Sequence, residues 1–225
     1  YDPPEHTRYR RLVSKPFSRR EVYGYEDGIR DLARSVVLEA REVGDRFDYT
    51  ELIAKQLPMR MLGRMLGVPD SDGDWLVKQG DALRGNLDPE MTGHDLIPAL
   101  LGPTIDGECL TDLQYKNLFV LMISAGNDTS RYTMAAGLRA LAERPETFQE
   151  LRQACIDRDD DVVDRAVEEV LRWSSVTMHF RRTATQDVEL GGKLIKQGDK
   201  VLTWFASADY DERQFADPFP LHINH

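Results

Sequence analysis

Leu118-Phe119-Val120-Leu121-Met122-Ile123-Ser124-Ala125-Gly126-Asn127-Asp128-Thr129 is the stretch whose reading decides the fold. It sits inside the longest helical pattern of the chain, which runs without proline from Thr111 to about Glu143. At 1.5 Å per residue such a helix spans roughly 50 Å, well beyond an ordinary surface helix. Residues 118–123 are apolar on every side, so the pattern predicts a helix threaded through the middle of the fold. Gly126, Asn127, Asp128 and Thr129 then follow in succession, residue types that cost about 0.5–1 kcal/mol each relative to alanine in a helix. A threonine hydroxyl there can bond back to the carbonyl of Ala125 and open the helix locally. That makes a groove with a hydroxyl and a carboxylate beside it, suited to binding a small molecule and delivering protons. The plainer alternative is that Gly126 lets another helix approach closely.

Working outward, the N-terminal side reads as helices. Asp2, Pro3 and Glu5 form an N-cap, an N1 proline and an acidic N3 residue for a helix running to about Val13 and stopping before Pro16. Ser18 caps a second helix through about Glu42, with Val22, Ile29, Leu32, Ala33, Val36 and Val37 in helical period. Phe47-Asp48-Tyr49-Thr50 is a connector, and Thr50 caps a third helix ending at Gly67-Val68-Pro69, kinked or broken at Pro58. A fourth helix is expected from Ser71 to about Leu87. A polar connector over 88–95 follows, then a short helix capped by Asp95 and a turn at 105–108.

Beyond the central helix, Pro145 opens a helix to about Asp157, and Asp161 caps one to about Trp173. The texture then changes. Residues 180–185, 188–190, 193–195 and 200–205 are short β-type runs punctuated by Gly191-Gly192 and Gly198-Asp199, the hairpin strands of a small sheet. The fold class is mainly α with a small β-sheet (α+β). The organisation is one domain, helix-rich over 1–175 and β over 176–206.

Composition narrows the function classes. The 225 residues are 41% hydrophobic and 30% charged, the balance of a soluble globular protein. The longest apolar runs are too short to span a membrane, and no targeting peptide is visible, so a cytoplasmic setting is expected. A net charge of −10 argues against nucleic acid as partner, because phosphate binding needs a basic surface. Cys109 and Cys155 have no metal-like spacing and read as reduced, structural thiols.

Other candidates are weak one by one. Glu169 and Arg172 stand three apart on a helix, where an exposed ion pair is the bland reading. His6 and Arg10 share a face of the first helix, and Arg181-Arg182 enters the first strand. Cations gathered from such distant segments can bind an anionic cofactor by charge-assisted hydrogen bonds; each alone reads as a solvated surface charge.

Their combination is another matter. Asp2-Pro3-Pro4-Glu5-His6-Thr7-Arg8-x-Arg10, Ala125-Gly126-Asn127-Asp128-Thr129, Glu169-Val170-Leu171-Arg172 and Arg182-Thr183-Ala184-Thr185-x-Asp187-Val188-Glu189-Leu190 occur in this order. Ala206-Ser207-Ala208-Asp209-x-Asp211-Glu212-x-x-Phe215-x-Asp217-Pro218 follows. Together they resemble the soluble bacterial cytochrome P450 family, over essentially the whole chain.

The resemblance implies an incomplete cytochrome P450-like fold, with residues 207–225 approaching the family's haem loop. It implies a haem-thiolate monooxygenase using haem b (iron protoporphyrin IX), dioxygen and a ferredoxin-type electron donor on a hydrophobic terpenoid, steroid or fatty acyl substrate. His6 and Arg10 would bond one haem propionate and Arg182 the other. Ala125 and Gly126 would lie against the haem, with Asp128 and Thr129 relaying protons. Leu121, Ser124, Val176 and Met178 would line the substrate pocket, and Glu169 with Arg172 would be a buried structural pair. A haem-free relative acting as a binding scaffold is the alternative.

Three departures accompany the likeness. The family's iron-ligating cysteine is expected beyond His225, so the chain as given holds no metal ligand and is expected to be inactive alone. The stretch between the Leu87 and Asp95 regions is short, which would leave the pocket's roof shortened or absent. Pro220 stands where the family often has an arginine completing a triad with Glu169 and Arg172, with His222 and His225 as candidate substitutes.

Overall fold

A computed structural model describes residues 3–14, 17–66 and 108–223. The helix expected from Ser71, the 88–95 connector and the Asp95 cap lie outside the described residues, as does His225. The chain divides into two compact units, Tyr1–Arg131 and Tyr132–His225.

In the first unit, α1 spans Glu5–Ser14, α2 Arg19–Tyr23, α3 Glu26–Glu42 and α4 Gln56–Met65, and α5 begins at Asp112. α1 starts later than the sequence suggests. Pro4 stands outside the helix, and its carbonyl accepts from Arg8 N–H at 3.2 Å. The single helix expected from Ser18 to Glu42 is two. At Gly24 the amide is shared between the carbonyls of Arg20 and Glu21, and the next amide, Tyr25, turns to Val22, a tightened last turn that ends α2. α3 buries Leu32, Val36 and Ala40, four residues apart, whereas its Ile29 and Val37, like Val22 of α2, stay exposed.

Thr50 is not the cap of the next helix. Asp48 is, its Oδ1 accepting from the amides of Thr50 (2.8 Å) and Glu51 (3.2 Å). A π-type turn over Thr50–Ala54 precedes α4, with the Lys55 amide reaching back to Thr50. Pro58 sits in the first turn of α4 and has no N–H to give to Ala54, so the register change falls just before it. Met59 and Leu62 of α4, and Leu66 at its C-cap, then pack against Phe119 and Ile123 of α5, with Val13 of α1 at the edge of the cluster. Burying each such side chain stabilises the fold by about 1.5–3 kcal/mol.

α5 is one α-helix, Asp112–Ala142, whose residues after Arg131 belong to the second unit. It is not enclosed on all sides as its composition suggests, because Leu113 and Leu121 are 68% and 62% exposed. Nor does it open at Gly126, since helical structure is continuous through 126–129.

The second unit continues with α6, Pro145–Asp157, and α7, Asp160–Ser174. Pro145 is the opening residue, as read from sequence, but the cap of α7 is Asp159 rather than Asp161, its carboxylate accepting from Val162 N–H at 3.2 Å. Ala140, Leu141, Ala166, Leu221 and Ile223 form the core. α5 and α7 meet at Gly137, where a Cβ would lie 2.7 Å from Val170 Cγ1.

Strands β1 His179–Thr183, β2 Val188–Leu190, β3 Lys193–Ile195 and β4 Lys200–Trp204 form two antiparallel ribbons, β1 with β4 and β2 with β3, instead of one small sheet. Gly191 and Gly192, with φ of 57° and 74°, make the β2–β3 turn that the Gly-Gly pair announces. Pairing of Phe180 with Thr203 and Arg182 with Val201 fixes the other ribbon, and the five-residue α8, Phe205–Asp209, follows directly. Cys109 and Cys155 are free, and both are exposed, so neither is a packed core thiol.

Candidate functional site

In the first unit the site is one face of α5. Thr129 donates its hydroxyl to the Ala125 carbonyl at 2.7 Å, the back-bond its position invites. The Asp128 carboxylate accepts from Arg131 Nη2 at 2.8 Å, and the Arg131 side chain is only 12% exposed. Arg131 is a partner that sequence reasoning missed, although i,i+3 spacing is its signal. Asn127, just before them, is buried, and its Oδ1 has no hydrogen-bond donor among the described residues.

Gly126 is not a close-approach glycine. Among the described residues a Cβ there would meet only Leu62 Cδ2, at 3.7 Å, an ordinary contact. Leu121, Ser124, Ala125 and Thr129 are exposed and Asp128 half-buried, one turn after another. Leu121, Ala125 and Gly126 also line a cavity of about 460 Å³, with Met61 and Met65 of α4 and Ser130 as further walls. Ser124 is not among its walls.

His6 and Arg10 are exposed, one turn apart on α1, and neither makes an ion pair with a described residue. Their neighbour Arg8 reaches Glu108 at 3.7 Å. A helix face with small residues at 125 and 126, flanked by apolar side chains and a hydroxyl, suits a flat apolar group. Exposed cations such as His6 and Arg10 of α1 suit that group's carboxylates.

In the second unit Glu169 and Arg172 are not the exposed pair that their spacing alone suggests. Their side chains are 5% and 8% exposed, and two bonds of 2.7 and 2.8 Å join them side by side. Arg172 Nη1 also donates to the carbonyls of Asp209 (2.6 Å) and Pro218 (3.0 Å). Its guanidinium lies over the rings of Tyr210 and Phe215. The bond to Glu169 holds the Arg172 pKa above its ordinary value, while burial pushes the Tyr210 hydroxyl up.

The third partner of the pair is backbone. Glu169 Oε1 accepts from the His222 amide at 2.8 Å, while the His222 imidazole lies 3.8 Å from Asp217. Pro220 has no N–H to give to Glu169; the carbonyl of Pro218 and the amide of His222 brace the pair. No sequence motif announces such main-chain partners.

Arg182 is exposed, its guanidinium bonded to the Arg181 carbonyl at 3.0 Å and lying over Phe180. Met178 is exposed and Val176 half-buried. Ser175, in left-handed conformation just before them, donates to Asp209 Oδ2 at 2.8 Å. That contact joins residues far apart in sequence and was not foreseen.

Residues 81–225 match the family model described as cytochrome P450. The steroid C26-monooxygenase of Mycobacterium bovis is 30% identical over 248 residues, a match covering 99% of this chain and 55% of that protein. That span exceeds the 225 residues of the chain, so the relative carries residues within it that this chain lacks. The methyl-branched lipid omega-hydroxylase of the same organism is 31% identical, covering 99% of this chain and 58% of its own length. Among solved structures, Mycobacterium marinum cytochrome P450 CYP268A2 in complex with pseudoionone matches the entire chain with a TM-score of 0.86 and 36% identity, over 61% of its own length. The chain thus spans less than two thirds of each of these relatives.

Proposed function

The chain belongs to the cytochrome P450 family, and from that premise we propose that the protein is a haem-thiolate monooxygenase, residues 1–225 being part of its single domain. Bound haem b would supply the oxygen chemistry, inserting one atom of dioxygen into a C–H bond of a hydrophobic small molecule. The observation that carries this reading is the exposed α5 face, where the Thr129 hydroxyl is turned onto the Ala125 carbonyl beside the Asp128 carboxylate.

Each residue has a part in it. His6 and Arg10 would hold one propionate and Arg182 the other, by charge-assisted hydrogen bonds. Ala125 and Gly126, being small, would let the flat ring lie close to α5. Thr129 would hold a proton at its hydroxyl for delivery to the oxygen, and Asp128 would resupply it from solvent. Leu121, Ser124, Val176 and Met178 would line the substrate space and exclude water. Glu169 and Arg172 would brace the segment that leads to the haem loop.

A steroid or fatty acyl substrate is favoured by the names of the two similar enzymes, which act on a steroid and on methyl-branched lipid. Terpenoids remain within the same apolar class. Electrons would come from a ferredoxin-type donor. No described helix is long and apolar enough to cross a membrane, in keeping with a cytoplasmic enzyme.

The test is the absorption spectrum of the reduced, carbon-monoxide-treated full-length protein, with the segment beyond His225. The red-shifted Soret band of a thiolate-ligated haem is the expected result. Its absence in folded protein would favour the haem-free scaffold instead.

A further inference from the structure

We propose that Ser175 and Asp209 form a latch that positions the segment Val176-Thr177-Met178, and thereby sets which ligands the pocket accepts. The inference rests on the reading of Val176 and Met178 as pocket lining.

The segment runs from Ser175, the residue that caps the end of α7, to the start of β1 at His179. Its two ends are tied to the same short helix. At the first, Ser175 Oγ donates to Asp209 Oδ2 at 2.8 Å, and Ser175 is only 9% exposed. At the second, the Met178 carbonyl accepts from the amides of Phe205 (2.9 Å) and Ala206 (3.3 Å). Both anchors belong to α8, which is itself pinned to α7 through Arg172 Nη1 and the Asp209 carbonyl at 2.6 Å. Tyr210 adds a hydroxyl bond to the Trp173 carbonyl.

Ser175 also has φ 37° and ψ 46°, a left-handed conformation that side-chain-bearing residues avoid. Such a residue stays there only where its surroundings hold it. Here the hydroxyl bond to Asp209 is what holds it, since a glycine would need no such support. The left-handed turn, in turn, sets the direction in which Val176 leaves the helix. Between its two ties the segment presents Met178, 56% exposed, as an apolar side chain on a fixed backbone. Ser175 and Asp209 are therefore positioning residues that act on ligands through Val176 and Met178.

The test uses haem-loaded protein and two probes that bind haem iron through a ring nitrogen, imidazole and the bulkier phenylimidazole. Ser175→Gly removes the hydroxyl and with it the tie to Asp209; glycine can adopt the left-handed turn, so the protein still folds, but it leaves that turn as readily, so the segment is freed. The expected result is a rise of at least about fivefold in affinity for phenylimidazole relative to imidazole, because the released segment yields to the added ring. Asp209→Ala is expected to give the same shift, and the double variant no more than either alone. Asp209→Asn, which still offers an amide oxygen to the serine hydroxyl, keeps the original ratio.

An unchanged ratio in haem-loaded Ser175→Gly overturns the latch, as does a shift in the double variant that is the sum of the two. If Asp209→Ala does not fold, the result for Ser175→Gly decides alone. Failure of the haem reading looks different: the unsubstituted protein then takes up no haem, before any probe is added, and the latch proposal falls with it.

Discussion

Thr129 gives its hydroxyl proton to the carbonyl of Ala125 one turn earlier, at 2.7 Å, without interrupting α5. Its neighbour Asp128 is tied the other way along the helix, to Arg131 one turn later, at 2.8 Å. Two adjacent polar side chains are thus held apart by bonds within a single helix.

Thr129→Ala should leave haem binding intact while diverting reducing equivalents to peroxide. The side chain is exposed, so stability should change by no more than about 0.5 kcal/mol. Peroxide released per reduced nicotinamide consumed, with a surrogate ferredoxin pair, is the measurement. Tightly coupled product formation in this variant would count against the hydroxyl's part in proton delivery.

Glu169→Ala should destabilise by about 3–5 kcal/mol, since it leaves the buried Arg172 guanidinium without its carboxylate. It also removes the acceptor of the His222 amide. Urea denaturation should show a lower midpoint with an unchanged slope. A loss no larger than that of a surface ion pair would contradict the burial found here.

The two central-helix glycines should respond oppositely to alanine. Gly137→Ala places a methyl 2.7 Å from Val170 Cγ1 and should cost about 1–3 kcal/mol. Gly126→Ala meets only Leu62 Cδ2 among the described residues, at 3.7 Å, and should stabilise by up to about 1 kcal/mol through helix propensity. Thermal midpoints of the two variants check both signs, and Val170→Ala should relieve the Gly137→Ala loss.

Alkaline pH should weaken the fold. Burial holds the hydroxyls of Tyr49, Tyr115 and Tyr210 above the ordinary tyrosine value of 10.0. Above that pH the unfolded chain loses these protons first and so binds fewer than the folded chain. Stability, full below the unfolded value, therefore falls as pH rises toward the folded values. Denaturation midpoints measured from neutral pH upward should show the decline. Tyr49→Phe should make it shallower; an unaltered slope would remove Tyr49 from the account.

Much of the architecture was legible because it is written in local chemistry. Pro145 starts a helix wherever it stands at N1, and Gly191-Gly192 supplies the two left-handed residues of a tight hairpin. Cap residues were harder to assign. Asp48 and Asp159 each took the place given to Thr50 or Asp161, because several nearby side chains compete for the same free amides and packing selects among them. The 18–42 helix was read too long, since periodicity averages over the one glycine that interrupts it.

The sequence by itself determined most of the described helices, the Gly191-Gly192 hairpin, the back-bond of Thr129, and a set of motifs whose order identifies the family. All of these depend on neighbours within a few residues, or on a pattern that survives in one dimension. Only the tertiary structure decided that Glu169 and Arg172 are buried and braced by main-chain groups of Asp209, Pro218 and His222. It alone tied Ser175 to Asp209, and made Gly137 rather than Gly126 the point of close helix contact. Every backbone carries the same amide and carbonyl, so no residue letter marks which of them a distant side chain will find.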